Sequence, residues 1–214
     1  MNTTVVHALI HPGAFFSEKM NAHESLKVPA LIVLATGLIG AVNAYLTTGY
    51  TMQLMPADMQ SMGSFIAAGS AVAALIGGFI FWIVVAAVFF LISMAFKGKG
   101  SFNRTLEFVG YGYLPMVFGS IASTAFAYRY FSTVQLRPIT DVSQIAEVTL
   151  QVLQHPMMQL AGVVSIIFLI WSANIWVFGL RSARSLTTRN ALLTVGIPVG
   201  VYILYSLYSL FGGL

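Results

Sequence analysis

The chain has 214 residues and a formal net charge of +4. Hydrophobic residues make up 58% of it and charged residues 7%, against roughly 25% charged in a soluble domain. That balance excludes a soluble fold, and the absence of cysteine excludes disulfides, thiol nucleophiles and thiolate metal sites.

Residues 1–27 contain no Lys or Arg before Lys19, so the basic start of a signal peptide is missing. Pro12 suits the first position of a helix. Val6, Leu9, Ile10, Phe15 and Phe16 form an apolar pattern too broken to span. The segment reads as an interfacial N-terminal piece lying on the cytoplasmic leaflet. His7 and His11 can share a helix face, but Glu18 and His23 are not placed to complete a metal set.

Residues 28–214 read as one all-α domain, a bundle of five transmembrane helices. About 20 apolar residues cross a ~30 Å hydrocarbon core. Such runs fall at about 28–48, 65–96, 108–128, 158–180 and 191–211. After the first run come Met52, Met55, Met59 and Met62. Thioethers at this spacing suit either a short helix face that fills gaps or a Cu(I) site. Between the third and fourth runs, Thr140/Asp141 reads as the cap of a short amphipathic helix through Val142, Ile145, Val148/Thr149 and Val152.

The basic residues give an orientation. Lys19, Lys27, Lys97, Lys99, Arg104, Arg181, Arg184 and Arg189 fall on one side of a five-span chain, and only Arg129 and Arg137 on the other. The positive-inside rule then places the N-terminus in the cytoplasm and the C-terminus outside. Small residues four apart (Thr36/Gly40/Ala44, Gly69/Ala73/Gly77, Gly196/Gly200) read as faces for close helix packing. Asn43 and Asn174 read as hydrogen-bonding contacts between helices. No clearly central charge interrupts the spans, which argues against ion-coupled transport.

The loop "FKGKGSFNRTLEFVGYGYLP" has a phosphate-loop look that fails on spacing, since Gly100 separates Lys99 from Ser101 and no strand precedes. Its lysines read instead as headgroup contacts. Lys97, Lys99, Arg104, Arg181, Arg184 and Arg189 are candidates for an anionic-lipid site, each worth roughly 1 kcal/mol near such a surface. No catalytic cluster of acids, histidines and serines is recognisable. No cofactor, metal or nucleic-acid partner is indicated.

The same loop resembles the YIP (Ypt-interacting protein, YIPF) family of five-span membrane proteins. The resemblance rests on Gly98-Lys99-Gly100-Ser101-Phe102 after the second span and on Gly110-Tyr111 with Pro115 entering the third. "HPGAFF" and "WVFGLRSARSLTTRNALL" are similar to further stretches of prokaryotic members. The resemblance implies a non-enzymatic membrane protein with a role of the trafficking or remodelling type, able to form homo- or hetero-oligomers. Eukaryotic members bind prenylated Rab GTPases and carry an N-terminal Asp-Leu-Tyr-Gly-Pro motif. That motif is missing here, so the resemblance does not extend to a Rab-type partner. The compact form implies a prokaryotic cell membrane. The reading is thus a protein that organises membrane lipids or partner proteins through packed helices and a basic cytoplasmic face. The alternative is a passive lipid scramblase or a small-solute transporter or channel.

Overall fold

The computed structural model describes residues 5–134 and 144–212. Arg137 and the Thr140/Asp141/Val142 cap lie outside the described residues. Every regular element among the described residues is helical. In chain order these are α1 (Val6–Ile10), α2 (Pro12–Lys19), α3 (Lys27–Gln53), α4 (Ala57–Gln60), α5 (Gly63–Ala95), α6 (Phe102–Tyr111), α7 (Leu114–Thr133), α8 (Gln144–Gln154), α9 (Pro156–Ala183) and α10 (Thr188–Leu207), the last running into a π-helical turn at Tyr208–Gly212.

Four of these are long and apolar enough to cross a membrane: α3, α5, α9 and α10 with its terminal turn. At 1.5 Å per residue the 33 residues of α5 reach ~50 Å, well beyond a ~30 Å core. The third run behaves differently. Residues 108–128 do not form one helix. The chain stops being helical at Gly112 and Tyr113, between α6 and α7. Pro115 cannot donate to the carbonyl of Tyr111, so a continuous ladder is impossible there. The apolar run in the sequence conceals this break.

Helix α7 has 20 residues but is too rich in Ser, Thr and Tyr to count among the apolar four. Its start lies beside Trp176, near the end of α9. Its far end holds Tyr130 against His155, at the start of α9, with ring centroids 4.7 Å apart. It therefore runs the length of the bundle, packed against α3 and α9. Its mid-helix Ser123 and Thr124 face those neighbours. Thr124 Oγ1 accepts from Asn43 of α3 at 3.2 Å, and the hydroxyls of Ser123 and Ser165 on α9 are 2.7 Å apart. Phe118, Ile121 and Tyr128 stay on the exposed side.

The N-terminal segment does not simply lie flat. Phe15 and Phe16 turn into the protein and are buried, while Val6 and Ile10 remain exposed. Phe15 packs on Tyr111 at 5.0 Å and Phe16 on Phe108 at 4.7 Å. Burying two phenyl rings against protein is worth several kcal/mol relative to leaving them in water, which explains why α2 docks on α6 and α9.

The glycine faces also differ from expectation. A Cβ on Gly40, Gly69, Gly77, Gly196 or Gly200 would meet nothing within 4 Å. The Gly69/Ala73/Gly77 and Gly196/Gly200 faces pack no helix among the described residues, whereas Gly40 lines a cavity between α3, α7 and α9. Close approach occurs elsewhere, at Gly37 against Leu75 and at Gly119 against Phe168. Spacing alone does not say which face of a helix is inward.

Candidate functional site

Three loop regions meet at one end of the bundle: residues 20–26 before α3, 96–101 between α5 and α6, and 184–187 between α9 and α10. Contacts tie them together. The Lys99 N–H donates to Arg184 O at 2.9 Å, and Ser101 Oγ donates to Glu24 Oε1 at 2.6 Å. All eight basic residues expected on one side therefore gather at this end, and Arg129 lies near the other.

Two arginines build this end. Arg184 is 2% exposed. Its Nε donates to Ser93 Oγ at 2.8 Å, its Nη2 to Gly98 O at 2.8 Å, and its Nη1 to Gly100 O. The guanidinium also lies over the Phe90 ring, 4.0 Å from the centroid. A planar fork with fixed donors suits such a clamp, and a flexible ammonium does not. Burial pulls the Arg184 pKa down from its ordinary value, but a guanidinium keeps its charge in proteins.

The clamp explains the glycines of the loop. Gly100 has φ +123°, a region that L side chains rarely occupy. A Cβ there would overlap Ala183 O, and one on Gly98 would sit 2.8 Å from Ser93 O. Loop, α5 and α9 approach so closely that no side chain fits.

Arg104 does the same work for the N-terminal segment. Ser101 caps α6, its Oγ accepting from the Arg104 N–H at 3.0 Å. The Arg104 side chain then donates to Ala22 O at 2.6 Å, to Lys19 O at 3.3 Å and to Glu107 Oε2 at 2.8 Å. Glu107 is fully buried, and its Oε1 has no hydrogen-bond partner. Burial pushes the Glu107 carboxyl above its ordinary range, and the charges of Arg104 and Lys19 oppose this only in part.

Every residue of α6 from Arg104 to Tyr111 is buried. Two indoles hold it in place. Trp82 Nε1 donates to Leu106 O at 3.0 Å and Trp176 Nε1 to Val109 O at 2.8 Å. Gly112 lies so close to Trp176 that a Cβ would overlap the ring. Tyr111 and Pro115 are buried too, and Phe102 packs edge-on against Phe90 at 5.5 Å. A buried Trp N–H needs an acceptor. That was the signal in the sequence for these two residues.

The candidate headgroup residues divide. Lys97, Lys99, Arg181 and Arg189 are exposed at this end. Arg104 and Arg184 are buried and committed to protein acceptors, so they are corrected from lipid contacts to structural clamps. Basic residues in a loop look alike in sequence, whether they face out or in. The two asparagines divide likewise. Asn43 bonds Thr124, but Asn174 stands on the exposed stripe of α9 with Ile170 and Trp171, and it makes no interhelical hydrogen bond among the described residues.

Of the methionine row, Met55 is buried while Met59 and Met62 are exposed. Among the described residues no group of three His, Asp or Glu side chains could hold a metal ion.

Apolar helices of bilayer length, arranged around a buried half-length helix, define a multi-pass helical membrane protein. Its family follows from sequence comparison. A model of the Yip1 domain matches residues 6–210, and the chain belongs to that family. It is 37% identical over 124 residues to an uncharacterised protein of Methanocaldococcus jannaschii, covering 58% of this chain and 88% of the archaeal one. No solved structure matches.

Proposed function

We propose that this Yip1-family chain is a non-enzymatic, five-span protein that presents a rigid basic face to anionic lipid headgroups, and so organises membrane or partner proteins. The observation that carries the reading is the closure of the basic end by α6. Its buried residues fill the bundle there. The frame it shares with Arg104 and Arg184 leaves Lys97, Lys99, Arg181 and Arg189 exposed. Four cations on one backbone frame add their attractions to a charged surface, each worth roughly 1 kcal/mol.

The fifth span is α7. The chain at Tyr113, beside Trp176, must reach the start of α9, ~30 Å away along the α9 axis from Trp176 to Pro156. Helix α7 makes that crossing, with Ser123 turned toward α9 and Thr124 toward α3. The positive-inside rule then puts the basic end in the cytoplasm. A solute pathway has less support. The cavity of about 280 Å³ between α3, α7 and α9 lies farther from the basic end than α6, which fills that end.

Reconstitution tests this. In mixed vesicles the protein should enrich anionic over zwitterionic lipid in its immediate shell and should not speed lipid exchange between leaflets. Fast scrambling without anionic enrichment would overturn the reading in favour of transport.

A further inference from the structure

Between α5, α9 and α10 lies an apolar groove of about 590 Å³ that plays no part in the basic end. Phe89 and Trp176 form its floor, and Tyr202, Tyr205, Ser206 and Ser209 line its other end. Trp176 lies seven residues before the end of α9, so the floor is ~10 Å in from the basic end. The hydroxyl-bearing residues lie toward the far end of α10. The groove is open sideways. Val84 on α5 is 47% exposed and Tyr205 on α10 is 68% exposed, and both belong to membrane-crossing helices.

The geometry points to a binding site for one acyl chain of a lipid whose headgroup lies in the leaflet opposite the basic end. The medium around α5 and α10 is hydrocarbon, so an apolar groove open to it takes up what surrounds it. Size selects the occupant. The α9 lining runs from Gly162 to Trp176, about 20 Å at 1.5 Å per residue. A volume of about 590 Å³ spread over ~20 Å gives a cross-section of ~30 Å², whereas a helix ~10 Å across needs ~80 Å². One extended hydrocarbon chain fits this groove and a partner helix does not. The hydroxyls at the outer end supply donors and acceptors at the depth of an ester or headgroup. Pro198 lines the groove from α10, where it cannot close the ladder to Thr194.

The test uses the full chain in nanodiscs containing a phospholipid with a photoreactive group near the end of one acyl chain. Irradiation should place adducts on groove residues such as Leu169 and Val199, and about one such lipid per protein should survive exchange into detergent. Val199→Trp fills the groove and should abolish the retained lipid. Val201→Trp, on the outward face of the same helix, should leave it. If Val199→Trp proves misfolded, Val88→Trp on the α5 wall replaces it, with the same expected loss. No retained lipid in the unaltered chain, or equal retention in the groove-filling and outward variants, overturns the proposal. So does a cross-linked dimer in place of the lipid adduct.

Discussion

Arg184 Nε donates to Ser93 Oγ at 2.8 Å, and this bond fastens the end of α9 to the end of α5. The other two nitrogens of the same guanidinium hold the loop that follows α5. One side chain thereby joins the end of α9 to the end of α5 and the loop after it, which are far from α9 in sequence.

Replacing Arg184 with Ala should cost about 2–4 kcal/mol, because it removes the buried bond to Ser93, empties the guanidinium site and takes the donor from the part-buried Gly98 and Gly100 carbonyls. Lys should recover only part of the loss, since an ammonium cannot reproduce the fork. Thermal unfolding in mild detergent checks this, and an unchanged Tm for Arg184→Ala contradicts it.

Two glycine substitutions should behave oppositely. Gly112→Ala forces a methyl into the Trp176 ring and should destabilise by about 1–3 kcal/mol. Gly196→Ala meets open space within a helix. It should be neutral or stabilising by up to about 1 kcal/mol through helix propensity. Equal effects in paired unfolding measurements would contradict the packing described for α6 and α7.

Glu107 gives a pH dependence. Its carboxyl titrates above the ordinary 4.5 because it is buried. In the interval just above pH 4.5 the folded chain therefore holds a proton that the unfolded chain has released. Stability should fall as pH rises through that interval, and Glu107→Gln should flatten the slope. Tm measured against pH reads this out. A rising Tm in the unaltered protein would mean that the Arg104 pairing outweighs burial.

The crossing of α7 can be labelled directly, since the chain has no native cysteine. Cysteines at positions 99 and 129 should react with an impermeant reagent from opposite sides of sealed vesicles. Reaction from one side would remove α7 from the spans.

Much of this architecture was legible in the sequence. Composition alone required a membrane solvent, and apolar runs of bilayer length located α3, α5, α9 and α10. The loop glycines marked the family before the reason for them was visible. What hydropathy could not reveal was burial by protein as opposed to lipid. The run from Phe108 looked like the start of a span because Phe108, Val109 and Tyr111 are apolar, although it is protein that buries them. The sequence also did not show where the polar groups of α7 go: Thr124 meets Asn43 of α3 and Ser123 meets α9. Arg104 and Arg184 could not be told from Lys97 and Arg181 by type or position. Only the carbonyls of Gly98, Gly100 and Ala22, brought near by folding, set the first pair apart. Asn174 was misread because a helical position acquires its face only from what packs against it.

The most direct test of the account removes the exposed charges and keeps the clamps. Lys97, Lys99, Arg181 and Arg189 are changed together to Gln, and lipid enrichment around the reconstituted protein is measured in mixed anionic and zwitterionic bilayers. Each cation near such a surface is worth roughly 1 kcal/mol. The variant should keep its Tm and lose its preference for anionic lipid. A preference that survives the loss of all four charges would contradict the central claim.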